Sequence, residues 1–178
     1  MVNSQDKEQE ALLQRRLQGI LPQIDIAGDK YFADVRIKEL RFTKAAHISL
    51  QFREMDLDEF SGRYFFFYDK TAKVIYPADA DPAKIPNGIV AVAIPYDGRL
   101  DPVGYAQTNN YSIEEILKLY PVQMELKAEV RELDEQTRQR LIEDRDKLLI
   151  IGPKIKNDPR QANDKRSKDS IKKKGKHL

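Results

Sequence analysis

The chain contains no cysteine and no tryptophan, and only two of its 178 residues are histidine. Without cysteine there can be no disulfide, no thiolate nucleophile and no Cys-built zinc site. No apolar run approaches the roughly 18 residues of a membrane-spanning helix. The opening MVNSQDKEQE is charged and lacks the apolar stretch of a signal peptide. No membrane association is therefore expected, and cytoplasm is the expected compartment. Also missing are a phosphate-cradling glycine loop, a dinucleotide fingerprint and a strand-to-helix nucleophile elbow. No cofactor and no metal site is expected.

Apolar residues make up 40% of the chain and charged residues 34%. That is enough apolar material to offset chain entropy and build a core, and the length suits one domain with an appendage. The net charge of +2 conceals an asymmetry. From Pro153 to Leu178 there are ten Lys and Arg against three acids, which leaves 21 basic and 26 acidic residues before them. The expected division is a folded, mildly acidic body over 1–152 and a flexible basic tail over 153–178.

Leu13, Leu17, Ile20 and Leu21 fall on one stripe of a 3.6-residue repeat, so a helix is expected over Gln5–Leu21. Pro22 would end it. Ile24 and Ile26, the Gly28 turn and the alternation through Val35 read as a β-hairpin. HISLQF (His47–Phe52) reads as a short strand, Glu54–Phe60 as a loop or single turn, and Arg63–Tyr68 with Lys73–Tyr76 as a second hairpin. Three prolines make Pro77–Asn87 an irregular connection. Gly88–Ile94 is apolar on both faces, as in a central strand. Tyr96–Asn110 reads as a turn-rich loop. Ser112 and Glu115 form a capping-box pattern before a helix over Ile113–Leu119. Val122–Leu133 alternates as a half-exposed strand, and Asp134 opens a last helix to Leu149. The whole is an α+β fold: one antiparallel or mixed sheet of five to seven strands, an N-terminal helix and C-terminal helices.

Among chemical candidates, RFTKAAHISLQF resembles the first half-motif of the two-histidine phosphoesterase family. The resemblance implies His47 as general acid or base and Ser49 as a phosphate-oxygen ligand on one face of a strand. The second half-motif is missing, because the other histidine is His177 in the tail. Glu54, Asp56, Asp58 and Glu59 lack the spacing of a Ca²⁺ loop, and Asp101 with Glu125 and Lys127 is a common surface pattern. In Tyr64–Tyr68 the alternation sends Phe65 and Phe67 one way and Tyr64, Phe66 and Tyr68 the other, which reads as a core strand.

Two regions remain as interaction candidates. Tyr96, Arg99, Asp101, Tyr105 and Asn109 follow the most apolar strand and suit a partner or ligand surface. Lys165, Arg166, Lys168, Lys172, Lys173, Lys174 and Lys176 suit contact with nucleic acid or another polyanion. The expected protein is a non-enzymatic interaction module that binds a protein partner through its body, and nothing in the sequence forbids a homodimer. The alternative is a small enzyme or nucleotide binder that acts on a phosphate-containing substrate with His47 and Ser49.

Overall fold

The first helix, α1 (Ser4–Leu17), stops four residues before the point the proline suggests. Gly19 takes φ +92, its N–H bonds the Arg16 carbonyl at 3.0 Å, and the Ile20 N–H bonds the Arg15 carbonyl at 3.2 Å. This is a Schellman closure, which only a residue without Cβ adopts cheaply. The side that α1 turns inward also differs from the apolar stripe. Leu17 and Ile20 are exposed, and Gln9, Leu12, Leu13 and Arg16 face the body. Gln9 both donates to the Val122 carbonyl (3.3 Å) and accepts from its N–H (3.0 Å).

The computed structural model describes residues 4–77, 84–140 and 143. The tail over 153–178 and the last helix beyond residue 140, Glu143 apart, lie outside them, as does most of the proline-rich connection. The α+β architecture is present, with ten strands divided between two sheets of five. The first is a meander of β1 (Gln23–Ile26), β2 (Asp29–Asp34), β3 (Glu39–Phe42) and β4 (Ser49–Gln51), all antiparallel. A 3₁₀ turn, Phe52–Glu54, carries the chain into β5 (Asp56–Asp58) of the second sheet. There β6 (Arg63–Asp69) pairs with β5 and β7 (Val74–Tyr76) on one side and with β8 (Ile89–Pro95) on the other. The expected central strand is thus β8, with β6 and β10 (Glu129–Glu132) as its neighbours.

The expected strand Val122–Leu133 keeps its alternation but serves both sheets. Its first part, β9 (Glu125–Lys127), runs parallel to β1, and its second part, β10, runs antiparallel to β8. Ala128, buried between them, makes the corner. Inward residues of both sheets form one core, including Ile24, Tyr31, Leu40 and Leu50 from the first and Tyr64, Phe66, Tyr68, Val92 and Ile94 from the second. At about 25 cal/mol per Å² of apolar area, this shared core dominates the stability of the body.

Tyr64, Phe66 and Tyr68 are buried and Phe65 is exposed, as the alternation predicts. The hydroxyls find partners at the core's edges. Tyr68 donates to Asp29 Oδ2 at 2.7 Å, and the Tyr31 hydroxyl bonds that of Tyr68 at 2.8 Å. Tyr64 donates to Asp97 Oδ1 at 2.9 Å. Burial, foremost, pushes both Tyr64 and Tyr68 well above the ordinary tyrosine value of 10.0, with hydrogen bonds to Asp97 and to Tyr31 and Asp29 adding to it. Unfolded tyrosines ionise near pH 10 while these stay protonated, so the unfolded chain holds fewer protons above that pH. Stability should be fully present below pH 10 and fall above it, by about 1.4 kcal/mol per pH unit for each such tyrosine. Urea midpoints measured from about pH 8 to 11 should show this fall, and Tyr64→Phe should make it shallower.

Candidate functional site

The segment Tyr96–Asn110 is helical rather than a loop. It forms α2 (Asp97–Leu100) and α3 (Pro102–Asn109), followed after a turn by α4 (Ile113–Leu119). The turn signals mark where these helices start and stop. Asp101 caps α3 by accepting from the Gly104 N–H at 3.0 Å, with Pro102 in the first turn, and Asn110 ends it at φ 57. The helix at Ile113–Leu119 has the expected bounds, but Ser112 makes no side-chain cap bond. Val103, Val122 and Met124, with Leu12, Leu13, Ile113 and Leu117, pack α1, α3 and α4 together.

Asp101 therefore does not belong to a surface site. It is fully buried, and its two oxygens take Arg16 Nε at 2.9 Å and Arg16 Nη2 at 2.8 Å. Asp97 is likewise buried, held by the Tyr64 hydroxyl and an ion pair to Lys38, and so pins α2 to the strands. Of the remaining candidates, Arg99 and Asn109 are exposed, while Tyr96 and Tyr105 are half-buried against the core. Tyr96 precedes α2 and its carbonyl accepts from the Arg99 and Leu100 N–H groups. Its ring meets Tyr105 edge-on at 5.8 Å and Tyr120 edge-on at 5.7 Å, and Tyr105 meets Tyr111 at 5.9 Å. Burial, followed by hydrogen bonding to Tyr120, raises the Tyr96 hydroxyl above its ordinary range, so it is a neutral donor or acceptor at physiological pH.

In front of Tyr96 lies a cleft of about 490 Å³ lined by Leu57, Glu59, Phe60, Gly62, Arg99 and Tyr120, among others. Its far wall is the β5–β6 turn. The Gly62 N–H bonds the Asp58 carbonyl at 2.9 Å, and the Gly62 carbonyl accepts from the Tyr96 N–H at 3.1 Å, which ties turn to helix. Asp58 accepts from the Phe60 N–H at 3.0 Å. Hydrogen bonds from Ser61 and Phe60 hold the Asp58 carboxyl below its usual range. The turn is thus ordered by its own backbone, yet Phe60 is wholly exposed and Leu57 is 47% exposed. An exposed phenylalanine on a hydrogen-bonded turn, beside a second apolar side chain, is the kind of feature that marks an interaction site. Arg99 is exposed, and no side-chain bond ties it within the described residues.

Of the expected surface residues, Tyr96 and Arg99 line this cleft, Tyr105 supports Tyr96 from behind, and exposed Asn109 donates to the Tyr105 carbonyl at 2.9 Å. Phe60, Leu57 and Tyr120 were not among them. His47 is exposed in the turn before β4, so it lies outside the strand alternation that would align it with Ser49. Ser49 Oγ accepts from Gln51 Nε2 at 3.1 Å. The cations flanking the aromatic strand are paired: Arg63 with Glu129, Lys70 with Glu132, and Lys73 with Asp29. Among the described residues no group of three or more His, Asp or Glu side chains is placed to hold a metal ion, and no helix is long and apolar enough to cross a membrane. The seven basic candidates from Lys165 to Lys176 lie outside the described residues. No family model, curated protein or solved structure matches the chain.

Proposed function

We propose that this is a non-enzymatic interaction protein whose body grips a protein partner in the cleft between the β5–β6 turn and α2. In this reading the basic tail adds electrostatic affinity for nucleic acid or another polyanion. The observation that carries the reading is Phe60, fully exposed on a backbone-ordered turn at the mouth of a cleft walled by Tyr96 and Tyr120. Aromatic and Arg side chains are enriched among interface hot spots, and the rigid rings bury much area at little entropic cost. The cleft volume falls in the usual range for a ligand pocket, roughly 300–1,000 Å³. Arg99 adds a guanidinium suited to a partner carboxylate. The matching partner segment carries a bulky apolar side chain for Phe60 and Tyr96, with Asp or Glu nearby for Arg99.

Peptide selection against the full chain tests this. Selected peptides should combine an aromatic or aliphatic anchor with an acid. Phe60→Ala should weaken their binding by about 2 kcal/mol, or roughly thirtyfold, and Arg99→Ala should act on the acidic peptides alone. Phe60→Ala leaves a fully exposed site, so its thermal unfolding should match that of the parent. Peptides whose affinity is indifferent to both substitutions would remove the cleft as the site.

A further inference from the structure

The two sheets end in four strands with one neighbour each: β4 and β9 in the first, β5 and β10 in the second. Among the described residues, Leu57 of β5 is the one large apolar side chain left exposed on these four strands. β7 does not cover it. β7 takes the same edge of β6 further along, opposite Phe67–Asp69, whereas β5 lies opposite Arg63–Phe65. Alternate residues of β5 therefore turn their N–H and C=O groups away from the sheet. Such an edge is a template for a further strand.

The side chains of this edge decide which strand fits. Residues directly opposite in a ladder share a face, so Leu57 lies on the side of Tyr64 and Asp56 on the side of Phe65. Leu57 belongs to the wall of the partner cleft, with Phe60 and Tyr96. Asp56 has no side-chain partner among the described residues, and Phe65 beside it is 40% exposed. Both border a separate groove of about 190 Å³, where Glu54 is the other acid. Asp58 is already engaged by its own turn, through the Phe60 N–H. A second copy of this chain fits poorly. Two β5 strands paired antiparallel about Leu57 would set Asp56 against Asp58, and like charges directly opposite repel.

We infer that the partner segment binds as an extended strand added to β5, an inference that rests on the cleft as read above. Its residue opposite Leu57 enters the cleft beside Phe60 and Tyr96, and the next residue, opposite Asp56, is Lys or Arg. The cationic head meets the free carboxylate while its stem lies over Phe65. Main-chain hydrogen bonds to the edge supply affinity, and the alternating side chains supply specificity. The acid that meets Arg99 comes from outside these two positions.

A backbone N-methyl scan of a selected peptide that needs Phe60 tests this on the full chain without altering the protein. Methylation should weaken binding about tenfold at alternate residues of the segment facing β5, and little at those between. Asp56→Asn should weaken peptides carrying Lys or Arg by about threefold and leave matched peptides with Gln there unchanged. A peptide that depends on Phe60 yet tolerates methylation at every residue would overturn the added strand and leave the cleft standing. A basic residue indifferent to Asp56 would overturn the pairing assigned to it. Sedimentation showing a dimer that Leu57→Lys abolishes would give the edge to a second copy instead. Peptides indifferent to Phe60 would remove the cleft itself, and this inference with it.

Discussion

Replacing Arg16 with Met should destabilise the body by about 3–5 kcal/mol, because it strands a fully buried carboxylate. For a domain of this size the melting temperature should drop by on the order of ten degrees. Asp101 sits at zero exposure with both oxygens on Arg16 and one also on the Gly104 N–H. Loss of the guanidinium leaves only that amide to compensate the charge. Gly104→Ala should act on the same pair from the other side. A Cβ there would fall inside contact distance of Asp101 Oδ2 and 3.2 Å from an Arg16 nitrogen, so the ion pair must shift, at about 1–3 kcal/mol. Pairing Arg16→Met with Asp101→Asn should recover part of the first loss, since the stranded charge is gone while the helix cap remains. Calorimetry on the four proteins checks the set. A double variant as unstable as Arg16→Met alone would assign the cost to lost packing of the arginine stem instead.

Nucleic-acid affinity should fall steeply with salt. If the seven basic residues from Lys165 to Lys176 all neutralise phosphates, the slope of log K against log salt on duplex DNA is about −6, and affinity drops roughly 10³- to 10⁴-fold between 50 and 200 mM. Changing Lys172, Lys173 and Lys174 to Ala should make the slope shallower by about 2.7. Fluorescence anisotropy over a salt series, with matched DNA and RNA sequences, measures it. Affinity that ignores salt, or that depends strongly on base sequence, would mean that contacts other than phosphate dominate. Binding unchanged in a chain ending at Gly152 would locate the contacts in the body.

The sequence displays best those features whose cause is local. The alternation of Tyr64–Tyr68, the two-sided apolar run of β8 and the Asp134 cap all follow from neighbours within a few positions, and each is found in place. Long-range causes stayed hidden. Asp101 reads as a surface acid because its partner, Arg16, lies 85 positions away, and a polar residue at helical spacing gives no sign of facing inward. The same blindness made the inner side of α1 look like Leu13, Leu17, Ile20 and Leu21, when it is Gln9, Leu12, Leu13 and Arg16 that face the body. In 96–110 the signal was present but misread. Asp101-Pro102 is a cap followed by a first-turn proline as much as a turn. Phe60 lay unnoticed in an acidic stretch, because one phenylalanine in a turn carries no periodicity. Only its exposure, set by a Gly62 turn tied to Tyr96, singles it out.

The strand that bends at Ala128 also sets an order in time. β1 cannot pair with β9 until residues 125–127 have left the ribosome, a hundred positions after β1 itself. Until then the first meander has a bare edge at β1, and the second sheet lacks β10 beside β8. A single late segment supplies both missing neighbours, so the two halves finish together rather than in turn. Such non-local closure slows folding relative to local hairpin formation. It also leaves the nascent chain with an open edge at β1, joined by a second at β8 once that strand is made, where stray strands can add until β9 and β10 follow. A release of translation stalled short of Lys127 should therefore yield an aggregating chain, while a stall past Leu133 should yield one that resists protease.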